Sequence, residues 1–169
     1  SNSDNSSNFR KGDDDKLLSS ILLETSLPLK KDRVNSKSFL TPKISARYSP
    51  NATKNNFNSN VELDYGNIYS LDRVDNSAVE GGESLTLGLE YSFLNKNNEN
   101  VFDLSIANIL RLKENPDLPK IHNLSEKRSN FIGNLKYAPS KYFDLDYQFS
   151  LDKNLEVSNY DLVKANFNI

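Results

Sequence analysis

Few side chains in the sequence have the types and spacing that enzyme chemistry requires. Asp144 and Asp146 lie on one face of a candidate strand, as the paired carboxylates of a glycoside hydrolase do. His122 is the only histidine, and it lies in a polar segment with Pro116 and Pro119, where a solvated ring is expected rather than a general base. The sequence contains no Gly-x-Ser-x-Gly elbow and no phosphate-binding loop. We therefore expect that the chain is not an enzyme.

Metal and cofactor sites are not indicated either. The chain has no cysteine, which excludes disulfides and thiolate metal ligands. Asp13, Asp14 and Asp15 form an acidic run that would hold a cation weakly, but the ligand pattern of a calcium loop is missing. A solvated run is the simpler interpretation, and we expect no metal and no cofactor.

Charge and hydropathy exclude two further classes of protein. The 21 basic and 23 acidic residues give a net charge of −2. We therefore expect no positive electrostatic field of the kind that binds a nucleic acid. The longest unbroken apolar run has three residues, Ile21, Leu22 and Leu23, whereas a membrane-spanning helix needs about 20. Membrane-spanning strands remain open, because only every second residue of such a strand must be apolar.

The elements that must position these residues are strands, because apolar residues recur with a period of two. The clearest case alternates Phe143, Leu145, Tyr147, Phe149 and Leu151 with polar residues, which places all five on one face of a strand. Similar alternation predicts seven strands, at residues 21–29, 39–48, 84–94, 101–110, 129–137, 143–151 and 159–169. Most are near the length of about 9–11 residues that crosses a membrane.

The connections between these strands alternate between short and long, except that residues 152–158 break the alternation mildly. Residues 30–38, 95–100 and 138–142 are short, whereas residues 49–83 and 111–128 are long. Outer-membrane barrels have short periplasmic turns and long extracellular loops. We therefore predict an antiparallel up-and-down transmembrane β-barrel fragment of about seven strands joined by hairpins, open and incomplete, at residues 19–169. Residues 1–18 are predicted to be a polar loop or a partly disordered lead-in, and neighbouring strands are expected outside the given sequence.

Each face of the predicted wall has its own chemistry. The polar face is predicted to line a lumen, with Lys43, Arg47, Glu90, Asp103, Lys136, Asp144, Asp146 and Lys164. Aromatic residues on the apolar face flank the short turns and are predicted to form a girdle at the membrane boundary, with Phe93, Phe102, Tyr137, Phe143 and Phe167. A soluble two-sheet sandwich, which also alternates polar and apolar residues, is the alternative.

A loop motif narrows the family. The first long connection contains Asn67-Ile68-Tyr69-Ser70-Leu71-Asp72-Arg73, followed by Glu80-Gly81-Gly82 and the strand that ends Gly88-Leu89-Glu90-Tyr91. This order resembles the LPS-assembly outer-membrane protein family LptD, also called OstA or Imp. Residues 40–44, 129–133 and 146–152 are similar to further strands of its C-terminal β-barrel domain. Residues 74–79 lack the Gly-x-Asp-Arg that many members carry there.

The residues of the motif suggest a structural role. Ile68 and Tyr69 would anchor the loop by packing inward, and Arg73 would form a bidentate pair with Glu80 or Asp72. Gly81 and Gly82 would allow a tight bend where the chain re-enters the sheet. The alternative is that Arg73 contacts a phosphate of lipopolysaccharide.

The resemblance implies a function and partners. It implies assembly of lipopolysaccharide in the outer leaflet of the outer membrane of a Gram-negative bacterium. Lipopolysaccharide would pass through the protein and be released laterally, and no covalent bond would be made or broken. The implied partners are lipopolysaccharide, the plug lipoprotein LptE and the components of a periplasmic bridge. Two alternatives remain open: another outer-membrane porin or receptor barrel, and a soluble secreted β-sandwich binding module.

Overall fold

The structure is a computed structural model that describes residues 19–53, 62–74 and 80–168. The predicted lead-in at residues 1–18, with its acidic run, lies outside the described residues. The strands are β1 Ile21–Ser26, β2 Leu29–Arg33, β3 Ser36–Ser49, β4 Gly82–Asn95, β5 Asn100–Arg111, β6 Phe131–Ser140, β7 Phe143–Leu151 and β8 Ser158–Phe167. A short 3₁₀ turn spans Ile121–Asn123. No helix in the described ranges is long and apolar enough to span a membrane.

All eight strands join one antiparallel sheet that forms an up-and-down meander. Strands β1 and β2 both pair with β3 and form one row, interrupted at Leu27 and Pro28. The Leu27 amide still donates to the Pro42 carbonyl oxygen at 3.0 Å, but Pro28 has no N–H group to continue the ladder. The sheet of the described residues therefore has seven rows and is not closed, which confirms the predicted fold class. A second sheet, as a sandwich would need, does not occur in these ranges.

The strands are longer than the alternation of apolar residues predicted. Strands β3 and β4 each have 14 residues and β5 has 12, because backbone pairing continues into polar positions beyond the apolar pattern. Strand β7 has the predicted bounds. Strand β6 begins at Phe131, two residues after its predicted start, because Ser129 and Asn130 belong to a loop.

The register gives the sheet two unlike faces. Ala46, Leu85 and Leu110 are paired in one row across β3, β4 and β5, and the next row pairs polar residues. The apolar face is open: Leu23 is 69% exposed and Phe167 is 73% exposed. The buried residues lie instead on the polar face, which two connections cover.

These two connections form the core together with the polar face. The first long loop (residues 50–81) joins β3 to β4, and the second long loop (residues 112–130) joins β5 to β6. Their apolar side chains meet three strand residues that point to the polar face, Ala107, Ile109 and Ile132. The loop members of this cluster are Leu63, Ile68, Tyr69, Val74, Leu118 and Leu124. The loops thus fold back over the sheet.

On the apolar face, Gly133 makes room for an aromatic ring. Gly133 pairs with Phe149 across β6 and β7, and a Cβ atom at residue 133 would lie 2.2 Å from Cζ of Phe149. The ring is only 8% exposed, although most large side chains on this face are open. The glycine therefore allows the ring to lie flat against the neighbouring strand.

We predict that Gly133→Val destabilises the folded protein by about 1–3 kcal/mol, because the ring must leave its place. Phe149→Leu in the same chain should recover part of this loss, since leucine is shorter. Guanidinium unfolding of the two single variants and the double variant gives the coupling free energy. Strictly additive losses would contradict the proposed contact.

Candidate functional site

The most highly charged buried group of the described residues lies between the first long loop and the sheet. Arg47 is near the end of β3 and Arg111 is the last residue of β5; both pair with Ser84 of β4, so all three side chains share the polar face. Arg73 comes from the loop, and Glu80 lies just before β4. Arg47, Arg73, Glu80 and Arg111 are called the arginine–glutamate cluster below.

One carboxylate binds all three guanidinium groups of the cluster. Glu80 Oε2 accepts hydrogen bonds from Arg73 Nε at 2.9 Å and from Arg47 Nη1 at 2.5 Å. Its Oε1 accepts from Arg73 Nη2 at 2.7 Å and from Arg111 Nη2. The four side chains are only 2–3% exposed. Arg73 thus forms a side-on bidentate pair, and two further cations close the cluster.

The remaining donors of Arg73 bind the loop and the strand together. Its Nη1 donates to the Ile68 carbonyl oxygen at 3.0 Å and to Thr86 Oγ1 at 3.1 Å, and its Nη2 donates to Ser84 Oγ at 2.9 Å. With the two bonds to Glu80, every nitrogen of the guanidinium group is used. Because Arg73 is buried and fully bonded, a contact between Arg73 and a lipid phosphate is disfavoured.

Glu80 remains ionised despite its burial. Burial alone raises the pKa of a carboxyl group, but attraction by Arg73, Arg111 and Arg47 outweighs it and lowers the pKa of Glu80 from 4.5 to about 2. The cluster therefore holds three cations and one anion at neutral pH. Removal of that anion would leave the three guanidinium groups without their shared partner.

Tyr69 packs against the sheet at a position that only glycine allows. A Cβ atom at Gly88 would lie 1.7 Å from the Tyr69 hydroxyl oxygen. Lys43 Nζ lies 4.4 Å from the centre of the Tyr69 ring, which is a cation–π distance. Tyr65 packs edge-on against Tyr69 and donates to Glu90 Oε1 at 2.9 Å. The loop motif thus covers two of the residues predicted to line the lumen, Lys43 and Glu90.

The other motif residues shape the loop. Asn67 and Asp64 exchange hydrogen bonds between side chain and backbone at 2.8 and 3.0 Å, whereas Asp72 is exposed. Gly81 presses against the chain after β3, because a Cβ atom there would lie 2.2 Å from the Asn51 carbonyl oxygen. Gly82 has a φ of +84°, in the region that favours glycine. The two glycines therefore form the bend at which the chain enters β4.

The expectation of a solvated His122 was wrong. The ring is 5% exposed, and Nδ1 lies 2.8 Å from Ser150 Oγ while Nε2 lies 2.8 Å from Glu62 Oε1. Burial lowers the pKa of His122 and outweighs the opposing effect of the nearby Glu62 carboxylate. The polar sequence around residue 122 gave no signal of this, because the partner strand is distant in the chain.

The order serine, histidine, carboxylate is also that of a hydrolase triad. Ser150 is only 1% exposed, and its oxygen also accepts a hydrogen bond from Asn130 Nδ2 at 3.0 Å. A buried hydroxyl with two partners offers no path to a substrate. The contacts of His122 and Asn130 with Ser150 therefore attach the second long loop to β7.

The remaining polar residues predicted to line the lumen form a row of alternating charge. Asp103, Lys136, Asp146 and Lys164 are paired in sequence across β5, β6, β7 and β8. Lys136 Nζ lies 3.9 Å from Asp146 Oδ2. Asp144, next along β7, accepts a hydrogen bond from Asn166 Nδ2 at 2.7 Å. Opposite charges at neighbouring positions support this pairing register.

The predicted girdle residues lie at neighbouring register positions on the apolar face. Phe93 pairs with Phe102, and Phe102 pairs with Tyr137. Phe143 pairs with Phe167, and their ring centres are 5.2 Å apart. The aromatic residues thus lie at the end of the sheet with the short turns, whereas the arginine–glutamate cluster lies at the other end.

A comparison with known families identifies the family of the chain. The sequence matches the family described as LptD, LPS transport system D, over residues 2–168. The chain belongs to the LptD family. A search of curated proteins found no match. The family match confirms the resemblance seen in the loop motif and connects the chain with lipopolysaccharide transport at the outer membrane of Gram-negative bacteria.

We predict that Glu80→Gln destabilises this LptD chain by about 3–5 kcal/mol, because it leaves buried cations without their charged partner. Guanidinium unfolding and limited proteolysis of the first long loop would measure the loss. Glu83→Gln is the matched control, since Glu83 is exposed and should stay within about 0.5 kcal/mol of the parent. Equal effects of the two substitutions would contradict the role of the cluster.

The lowered pKa of Glu80 predicts a pH dependence. The stabilisation by ionised Glu80 is complete above pH 4.5 and is lost as the pH falls toward 2, since the folded carboxyl has the lower pKa. Hydrogen exchange of residues 62–74, corrected for intrinsic rates, should show the parent approaching Glu80→Gln across this window. A difference between the two proteins that stays constant from pH 6 to 2 is the result that would refute this.

Proposed function

We propose that this chain is part of the wall of an outer-membrane barrel that assembles lipopolysaccharide in the outer leaflet. In this arrangement the apolar face contacts lipid, the polar face lines the lumen, and the two long loops enter the lumen from the extracellular side. The observation that carries the proposal is the distribution of burial over the two faces. The loops bury the polar face, while the apolar face remains open.

An open apolar face of this extent favours a lipid environment. Val163 is 61% exposed and Phe167 is 73% exposed on β8, and Leu23 is 69% exposed on β1, so the face extends over the whole sheet. Soluble monomers rarely leave such large apolar patches in water. A barrel wall with an apolar band about 25 Å tall requires them.

Transport through such a wall needs no bond chemistry. The loops, the arginine–glutamate cluster and His122 fill the lumenal side next to one end of β3 to β7, which limits axial exit of a large glycolipid there. This supports lateral release of the glycolipid elsewhere in the barrel, rather than its exit through the end of the barrel that the loops fill. Residues of the cluster then maintain the wall and its loops rather than contact the substrate.

A plug lipoprotein of the LptE type would face the part of the lumenal side that the loops leave open. The alternating row Asp103, Lys136, Asp146 and Lys164 lies there, next to a cavity of about 300 Å³ that Asn100 and Asp144 also line. Charged and polar groups of both signs suit a hydrated protein contact. Periplasmic bridge components would meet the full barrel from the side of the short turns.

We predict that depletion of the full gene product carrying this chain stops newly made lipopolysaccharide from reaching the cell surface. Surface modification of lipid A and sensitivity to large antibiotics would measure this. Purification in detergent should retain lipopolysaccharide and a small lipoprotein. Normal lipopolysaccharide display with loss of solute uptake would instead indicate a porin or receptor, and a protein soluble without detergent would indicate a secreted module.

A further inference from the structure

We propose that a groove on the apolar face, with Arg128 at one end, binds a lipopolysaccharide molecule of the outer leaflet. The lipid A phosphate would pair with the guanidinium group, and an acyl chain would lie in the groove. This inference rests on the proposed function, because it needs the apolar face in lipid and the long loops outside the cell. The site lies on the opposite face from the arginine–glutamate cluster.

The groove is a cavity of about 350 Å³ along β4 and β5. Its apolar lining comes from Leu87, Leu89, Ile106, Leu110 and Phe131, with Arg128 at one end. Asn108 also lines it, but its Nδ2 donates to the Ser129 carbonyl oxygen at 3.3 Å. Leu87 is 38% exposed and Leu89 is 41% exposed, so its walls are open to the surroundings of the sheet. A largely apolar channel with one cation in its lining matches a lipid that has an anionic headgroup.

The sheet register directs Arg128 to this face. Leu110 and Arg128 form an isolated antiparallel bridge, and residues directly opposite each other place their side chains on the same face. Leu110 pairs with Leu85 on the apolar side, while the adjacent Arg111 points to the arginine–glutamate cluster. Arg128 therefore points toward the lipid.

Arg128 is available for a ligand. It is exposed, and the ion pairs found among the described residues do not include it. A cation on the lipid side of a barrel wall is tolerated near the membrane boundary and disfavoured at the midplane. Its height along the strand therefore decides whether a phosphate can reach it.

The height of Arg128 fits the phosphate level of the outer leaflet. Leu110, its partner, lies eight residues after Phe102 on β5, which is about 27 Å along a strand. A tilt of about 40° reduces this to roughly 20 Å across the membrane, close to the apolar band of about 25 Å. Phe102 lies in the aromatic row next to the short turns, so Arg128 lies at the opposite boundary.

The occupant that fits is a phosphorylated glycolipid of the outer leaflet. A guanidinium group pairs with phosphate through two parallel hydrogen bonds, and the position at the end with the long loops selects lipids of the outer leaflet. Because the groove is outside the lumen, the bound molecule is one that has already been delivered. The site would hold a product lipid against the wall.

The test uses the full gene product in mild detergent and native mass spectrometry with added lipids. The probes are bis-phosphorylated lipid A, the same lipid without phosphates, and phosphatidylglycerol. Arg128→Gln should bind bis-phosphorylated lipid A roughly tenfold more weakly, the loss of one charge-assisted contact. Arg128→Lys should retain part of the binding. Lys127→Gln, the same charge change at the exposed neighbouring residue, should bind like the parent.

Each result decides the proposal. A loss confined to Arg128→Gln, and absent for the dephosphorylated lipid, would support it. Equal binding by Arg128→Gln and the parent overturns it, and equal binding of phosphatidylglycerol overturns the choice of lipopolysaccharide. If depletion leaves lipopolysaccharide display intact while this binding persists, the proposed function fails and the site stands. If depletion blocks display and no lipid binds at Arg128, the site fails alone.

Discussion

The pairing of one buried carboxylate with three guanidinium groups is the interaction on which the rest of the structure depends. Glu80 can reach Arg47 and Arg111 only when both lie on the polar face at the level of Ser84. A shift of β3 or β5 by one residue would turn its arginine to the apolar face. Because buried ion pairs are expensive to desolvate, their contribution is better understood as selecting one register than as adding net stability.

This constraint explains why the chain has two kinds of apolar surface. Side chains of the apolar face repeat every second residue and remain open, whereas those of the core come from the loops and meet Ala107, Ile109 and Ile132. Small residues on the polar face make the contact possible, as Gly88 does for the Tyr69 ring. The first long loop is therefore part of the folded unit, attached by charge at Arg73 and by shape at Tyr69.

Alternation along each strand was sufficient to predict the sheet, because side-chain direction in a strand is a local property. It was also sufficient to place Arg47 on the polar face. Arg111 shares that face with Asp103 and Ile109, and its position opposite Ser84 follows from the same register, so it was within reach of prediction. The burial of His122 could not be predicted in this way. It depends on how residues 112–130 fold against Ser150, and the alternation along a strand contains no information about that contact.

The two ends of the sheet differ chemically, and the orientation proposed for the sheet rests on this difference. At the short turns, aromatic rings lie on the apolar face at neighbouring positions, such as Phe93 and Phe102. At the other end, the charged cluster and both long loops lie on the polar face, and Arg128 adds a cation to the apolar face, where Glu83 and Asp161 also lie by register. In the proposed placement the rings lie at one membrane boundary and the Arg128 guanidinium group lies at the opposite one. The pairing register that the arginine–glutamate cluster selects also keeps the aromatic rings on the apolar face, so the proposed orientation depends on the same register.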